Sequence, residues 1–373
     1  MADPRRLNRG VVLLTTLLMM AILAAVGWNL SGRQSLLVTE HRMAFANDQA
    51  IQYALGAESF ARQILRQDWI QEGDKRDTLL EPWAQSPPPF SIDNGMIELR
   101  ARDLNGCFNL NAVADGELGG LPAANENSAT DPFFQTDTEN VSLGNAPPFT
   151  STGESTRRAG VRDGTATNLE RFRRLLVQAG LAPDAADAWR DWVDSDDIPS
   201  GAGAEDGDYM LLTPPYRAAN QLAVHLSEFE LIKGMDSASM AGLMDALCVL
   251  PSTELKVNVN TANPTVLAAL VPEINAGVLA ELSAAPRDFA EVAQFTNQFA
   301  EFSNAVDALT VSSEYFEISV RVRVDDSTIE MVSVIHRDVA SGQIALISRD
   351  LSRHLLSRSS AVAPTRSSME LAP

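Results

Sequence analysis

The sequence predicts an α+β fold in which a long N-terminal transmembrane helix leads into a small antiparallel sheet, and a large helical insert domain interrupts that sheet. Three observations lead to this reading. An uncharged stretch covers residues 11–32 and follows Arg5, Arg6 and Arg9. Apolar residues alternate at 92–101 and again at 315–347, the period of half-buried strands. Between these two blocks, from 168 to 310, the apolar spacing is helical.

Composition narrows what the chain can do. Its 373 residues carry 29 Lys+Arg against 49 Asp+Glu, a net charge of -20 and a pI of about 4.6. Nucleic-acid and anionic-membrane surfaces need Lys and Arg to neutralise phosphates, so this balance argues against both. Two cysteines, Cys107 and Cys248, are too few for a disulfide scaffold or a four-thiolate zinc site. The four histidines are scattered, and no H-E-x-x-H, G-x-S-x-G or P-loop pattern occurs, which points away from an enzyme.

The first element is a helix over 11–72. Val11 to Trp28 is largely apolar and is long enough to cross a bilayer if it continues to about Leu30. The flanking arginines would stay on the cytoplasmic side. A cleaved secretory signal is the alternative, with Ala25-Val26-Gly27 as its small-x-small site. Against that stands a helical stripe, Ala44, Ile51, Ala54, Leu55, Ala61, Ile64 and Leu65, which runs on towards Gly73 without a proline.

Arg9-Gly10 followed by Val11-Val12-Leu13-Leu14-Thr15 resembles the class III signal of type IV pilins and pseudopilins. The resemblance implies a leader at 1–10, cut by prepilin peptidase between Gly10 and Val11, and methylation of the new amine. The mature chain would hold 26 basic and 48 acidic residues, a net of -22. Pilins usually carry Glu at the fifth mature position, where this chain has Thr15. A carboxylate in the bilayer needs a partner, taken in pilins to be the ammonium of a neighbouring subunit. A subunit with nothing above it lacks that partner. Thr15 therefore resembles the K-type minor pseudopilin of type II secretion, which sits at the pseudopilus tip.

Beyond the helix, Pro87-Pro88-Pro89 stops regular structure, and Asp93-Asn94-Gly95 marks a turn between short strands. Asp103 to Asn111 is similar to the D-x-x-x-x-F-N-L-N segment of the K family. The pseudopilin body is expected at 90–112 and 311–350, a flexible loop at 113–167, the helical insert domain at 168–310 and a disordered tail at 352–373.

Two segments could carry chemistry. From Asp191 to Asp208, seven carboxylates lie within eighteen residues without a Lys or Arg. Such a run is either a solvated loop or a cation site, since calcium takes six to eight oxygen ligands. The K family has a W-x-D-x-D then G-A-E-D and Tyr pattern here, associated with bound calcium. Carried over, it nominates Asp194, Asp196, Glu205 and Asp206 as Ca²⁺ ligands. The second segment, Val257-Asn258-Val259-Asn260-Thr261-Ala262-Asn263, resembles the start of a helix-hairpin-helix DNA-binding module. A DNA-uptake protein is therefore the alternative reading. Only Lys256 is basic nearby, and the following Val271-Pro272-Glu273-Ile274-Asn275 lacks Gly-x-Gly, so a capped structural helix is preferred. A membrane-anchored hydrolase is the weakest option, because no nucleophile and base can be named.

Cys107 and Cys248 are either bridged or two buried thiols; an oxidising periplasm favours the bridge. Together the resemblance implies a tip subunit of the type II secretion pseudopilus. It would be single-pass in the bacterial inner membrane with its body in the periplasm, and would assemble with the I- and J-type minor pseudopilins and other pseudopilins.

Overall fold

The computed structural model describes residues 5–71, 76–85, 87–114 and 154–351. Most of the expected loop (115–153), the tail (352–373) and the first four residues of the leader lie outside these.

A single helix, α1 (Arg5–Gln71), takes up the start of the chain without a break, so leader residues 5–10 form its first turns. Among the described residues no helix is long and apolar enough to cross a membrane. In the apolar run, the described side chains extend from Leu13 to Trp28. Ten large apolar side chains in that stretch stand exposed, from Leu13 at 63% to Trp28 at 86%. The lower half of α1 differs. There Ala46, Ala50, Ala54, Ala57, Ala61 and Leu65 recur at three- and four-residue intervals and are buried. Small side chains let the helix axis approach a sheet closely. The larger residues of the expected stripe, Ile51, Leu55 and Ile64, only flank this seam, and Ala44 is exposed.

The chain continues through β1 (Phe90–Ile92), β2 (Gly95–Asp103) and β3 (Phe108–Asn109). The insert follows as α2 (Glu154–Gln178), α3 (Ala185–Val193), α4 (Asp206–Tyr209) and α5 (Ser237–Ala241). It goes on through β4 (Leu247–Cys248), β5 (Val257–Asn258), α6 (Pro264–Leu270), α7 (Ala276–Ala284), α8 (Val292–Gln298) and β6 (Leu309–Thr310). Finally β7 (Tyr315–Val324), β8 (Ser327–Arg337) and β9 (Ile344–Asp350) complete the chain. Strands β1-β2-β7-β8-β9 form one antiparallel sheet in that order. Its inner face, including Ile97, Leu99, Phe316, Ile318, Val320, Val322 and Met331, packs under α1.

One boundary is corrected. Residues 154–167, expected as loop, are the first turns of α2. Part of the buried face there is polar: Thr165 and Asn168 are buried beside Leu169 and Phe172, and Asn168 Nδ2 donates to the Ala112 carbonyl at 3.1 Å. An apolar-period search does not register such a face.

The insert has its own core, built around Phe108, Phe172, Phe229 and Trp189, each ring centroid within 6 Å of the next in that order. It is fastened to the sheet at two levels. A disulfide joins Cys107 to Cys248, with Cα atoms 5.8 Å apart. Beside it lies a buried polar joint. Arg337 on β8 donates to Asp77, to Asp68 and to the Ser313 carbonyl, while Asp103 accepts from Ser313 Oγ, Thr261 Oγ1 and Asn258 Nδ2. Burial pushes Asp77 up to about 7 despite the pull of Arg337.

Candidate cation site

The acidic segment is held at both ends by aromatic rings. Trp192, in the last turn of α3, and Tyr209, at the end of α4, are both buried and meet edge-on with centroids 5.4 Å apart. Residues 194–205 form the loop between them. The helix stops at Asp194, which caps it in extended conformation (φ −80°, ψ 173°). From there the loop turns back so that Glu205 comes close to the residue at which it began.

Oxygen atoms of Asp194, Asp196 and Glu205 lie within 4.8 Å of one another. Asp194 and Glu205 are buried and Asp196 is exposed. Both Glu205 carboxylate oxygens are buried without a hydrogen-bond partner among the described residues. Burial pushes Glu205 up to about 7, and the charges of Asp191, Asp194, Asp197 and Asp196 push the same way. A buried carboxylate in this position must be neutralised by a proton or a cation. An oxygen-rich pocket of carboxylates open on one side suits a hard divalent ion such as Ca²⁺.

Asp206 does not join this group. Its carboxylate accepts from the Ala218 amide at 2.9 Å and lies 3.4 Å from Arg217 Nη1. The helical turn that begins at Asp206 points consecutive side chains in different directions, so sequence adjacency to Glu205 does not bring it to the cluster. Asp208 likewise pairs outward with Lys233 at 3.2 Å.

The segment read as the start of a DNA hairpin faces inward. Asn258 is fully buried and donates to the Asp77 carbonyl, Asp103 and Ser313. Asn260 is also fully buried and clamps both the amide and the carbonyl of Phe289. The cap of α6 is Asn263, which accepts from the Thr265 amide. Asn109 and Asn111 act in the same way, binding the backbone at Ser252, Glu254, Leu250 and Ala223. Residues already committed to the interior cannot hold phosphates. Gly10 and Val11 lie within the unbroken backbone of α1, and Thr15 stands exposed on it.

The profile of the family described as Type II secretion system (T2SS), protein K matches residues 106–252, a span that contains the whole acidic loop. Type II secretion system protein K of Pseudomonas aeruginosa is 30% identical over 361 residues, covering 93% of this chain and 94% of its own. The chain belongs to the type II secretion system protein K family. Other protein K relatives include that of Aeromonas hydrophila, 30% identical over 89% of this chain and 94% of its own, and that of Klebsiella pneumoniae, 32% identical over 71% of each. A chain in the crystal structure of the GspK-GspI-GspJ complex from enterotoxigenic Escherichia coli shares the fold, with a TM-score of 0.64 at 24% identity. The match covers 84% of this chain and 100% of that one. Membership of the protein K family gives no support to the DNA-uptake reading, in agreement with the buried asparagines.

Proposed function

We propose that this protein K is the minor pseudopilin at the tip of the type II secretion pseudopilus, assembling there with I- and J-type minor pseudopilins. The observation that carries the reading is the division of α1. Its lower half is sealed to the sheet by an alanine seam, while ten large apolar side chains from Leu13 to Trp28 stand exposed. Exposed apolar surface of that extent calls for lipid or neighbouring helices. Extended over residues 11–30, the run is a single-pass anchor in the bacterial inner membrane, about 30 Å long at 1.5 Å per residue. The body then lies in the periplasm.

Prepilin peptidase cuts between Gly10 and Val11 in this reading, and the new amine is methylated. Thr15, uncharged at the fifth mature position, fits a subunit with no neighbour above it. The partners are argued from the related complex, whose title names GspI and GspJ alongside GspK. The protein works by assembly and contact, not by turnover. Its acidic surface supports no nucleic-acid role.

Within the insert, Asp194, Asp196 and Glu205 would hold Ca²⁺, which supplies the positive charge that Glu205 lacks. The orphaned Glu205 oxygens support this assignment, and the outward contacts of Asp206 leave it outside the set.

Co-expression with I- and J-type pseudopilins and mass spectrometry of the recovered protein test the reading together. The expected result is a mature chain starting at Val11 that co-purifies with both partners. A mature chain starting at Trp28, or a processed chain that binds neither partner, would overturn it.

A further inference from the structure

Asp191 and Glu205 are both buried carboxylates of the acidic segment, yet their surroundings are opposite. Asp191, in the last turn of α3, is 0% exposed and accepts the Ser200 amide through Oδ1 at 3.0 Å and Oδ2 at 3.2 Å. Its two oxygens thus share one loop donor, the Ser200 amide, whereas both Glu205 oxygens have no partner among the described residues.

Two close approaches show how tightly that loop is wrapped. A Cβ built on Gly203 would lie 1.9 Å from Asp191 Oδ2, so any larger residue there collides with the carboxylate. One helical turn earlier, Asp187 accepts the Ala202 amide at 3.2 Å, and a Cβ on Gly201, at φ +57°, would lie 2.6 Å from its Oδ2. Asp187 and Asp191, four residues apart on one helix face, thus grip the backbone at 200 and 202. Glu205 follows three residues beyond that grip, just past Gly203.

We propose that Asp191 is a positioning residue for the cation site, shaping the loop at 200–204 so that Glu205 turns its carboxylate toward Asp194 and Asp196, with Gly203 admitting the close passage. This inference rests on the calcium reading given above. Asp191 acts through Glu205 and does not itself touch the ion. Asp194, Asp196 and Glu205 group within ligand range of one another without Asp191, whose two oxygens instead meet the Ser200 amide, and this arrangement supports that indirect role.

The test uses the purified full chain, with Ca²⁺ affinity measured by calorimetry and the metal's bound waters counted from Tb³⁺ luminescence decay in H2O and D2O. Asp191→Asn should weaken Ca²⁺ binding at least tenfold and add water to bound Tb³⁺, because Glu205 is no longer held in place. Combined with Glu205→Gln, it should bind Tb³⁺ no more weakly than Glu205→Gln alone. Gly203→Ala should reproduce the weakening and the added water with Asp191 intact, which covers the case in which Asp191→Asn fails to fold. Losses that multiply in the double variant would make Asp191 a direct ligand and overturn the proposal. So would wild-type affinity in both Asp191→Asn and Gly203→Ala. A wild-type chain that binds neither metal would overturn the calcium reading and this inference with it.

Discussion

Glu58, fully buried on α1, accepts from Arg349 Nε at 2.7 Å and from its Nη2 at 2.9 Å, and so fastens the long helix to the last strand of the sheet. Ser333 Oγ on β8 donates to the same carboxylate at 2.7 Å. Burial opposes ionisation of Glu58, but the hydrogen bonds from Arg349 and Ser333 and the charges of Arg349 and Arg62 outweigh it and hold the carboxyl below its usual value.

A pH dependence follows with a definite sign. The folded value lies below the unfolded one near 4.5, so the stabilisation from Glu58 is complete above about pH 4.5 and is lost as pH falls through the folded value. Chemical denaturation between pH 3 and 6 should show a stability decline that is shallower in Glu58→Gln. Arg349→Ala, which leaves the buried carboxylate short of its main partner, should lower stability at pH 7 by about 3 kcal/mol. An unchanged slope in Glu58→Gln would remove this pair from the account.

Calcium should raise the melting temperature of the chain, since a ligand at 100 times its dissociation constant adds about 2.7 kcal/mol. Glu205→Gln should abolish most of that rise. Asp206→Asn should keep it, because its carboxylate is turned to Ala218 and Arg217. Equal losses in the two variants would return Asp206 to the ligand set.

Opening the Cys107–Cys248 bridge frees a loop spanning 141 residues. On the chain-entropy account this costs about 4 to 5 kcal/mol before any strain is subtracted. Cys107→Ser should therefore lower the denaturation midpoint strongly, and reductant should do the same to the wild type while leaving the variant unaffected. A midpoint shift worth less than about 1 kcal/mol would assign the fastening to the contacts of Asp103 with Thr261 and Asn258 instead.

Thr15→Glu tests the tip position. A subunit with no neighbour above gains no ammonium partner, so the new carboxylate should bring no assembly benefit, and its insertion cost should stay below the roughly 2.5 to 3.5 kcal/mol of a charge at the bilayer centre. Secretion assays with immunoblots of sheared pseudopili read the outcome. Longer pili, with the protein spread along them, would place it in the shaft.

Which parts of this fold were legible beforehand depends on where the relevant side chains sit in the chain. The alternation of Phe316, Ile318, Val320, Val322 and Val324 is local and marks one buried strand face, so β7 could be read directly. The uncharged run and the Asp-rich loop were equally local. The alanine seam on α1 was only partly visible, since Ala54 and Ala61 were read in the stripe but Ala46, Ala50 and Ala57 carry little hydropathic weight. The Arg337 joint gathers Asp68, Asp77 and Ser313 from separations of 24 to 269 residues, which no spacing rule reaches. In the acidic cluster, the motif brought Asp194, Asp196 and Glu205 to one place, but the direction of Asp206 depended on a helical turn beginning at that residue.

The insert leaves the sheet just after Asp103 and returns just before Phe316, and these two residues are partners on adjacent antiparallel strands. Departure and return therefore occur side by side, as at the two stems of a hairpin. Everything between them is topologically a decorated turn. The sheet register does not depend on how large that turn is, so the insert can grow, shrink or change its surface while the helix and strands beneath keep their packing. A protein built this way can alter the head it presents without rebuilding the shaft that carries it.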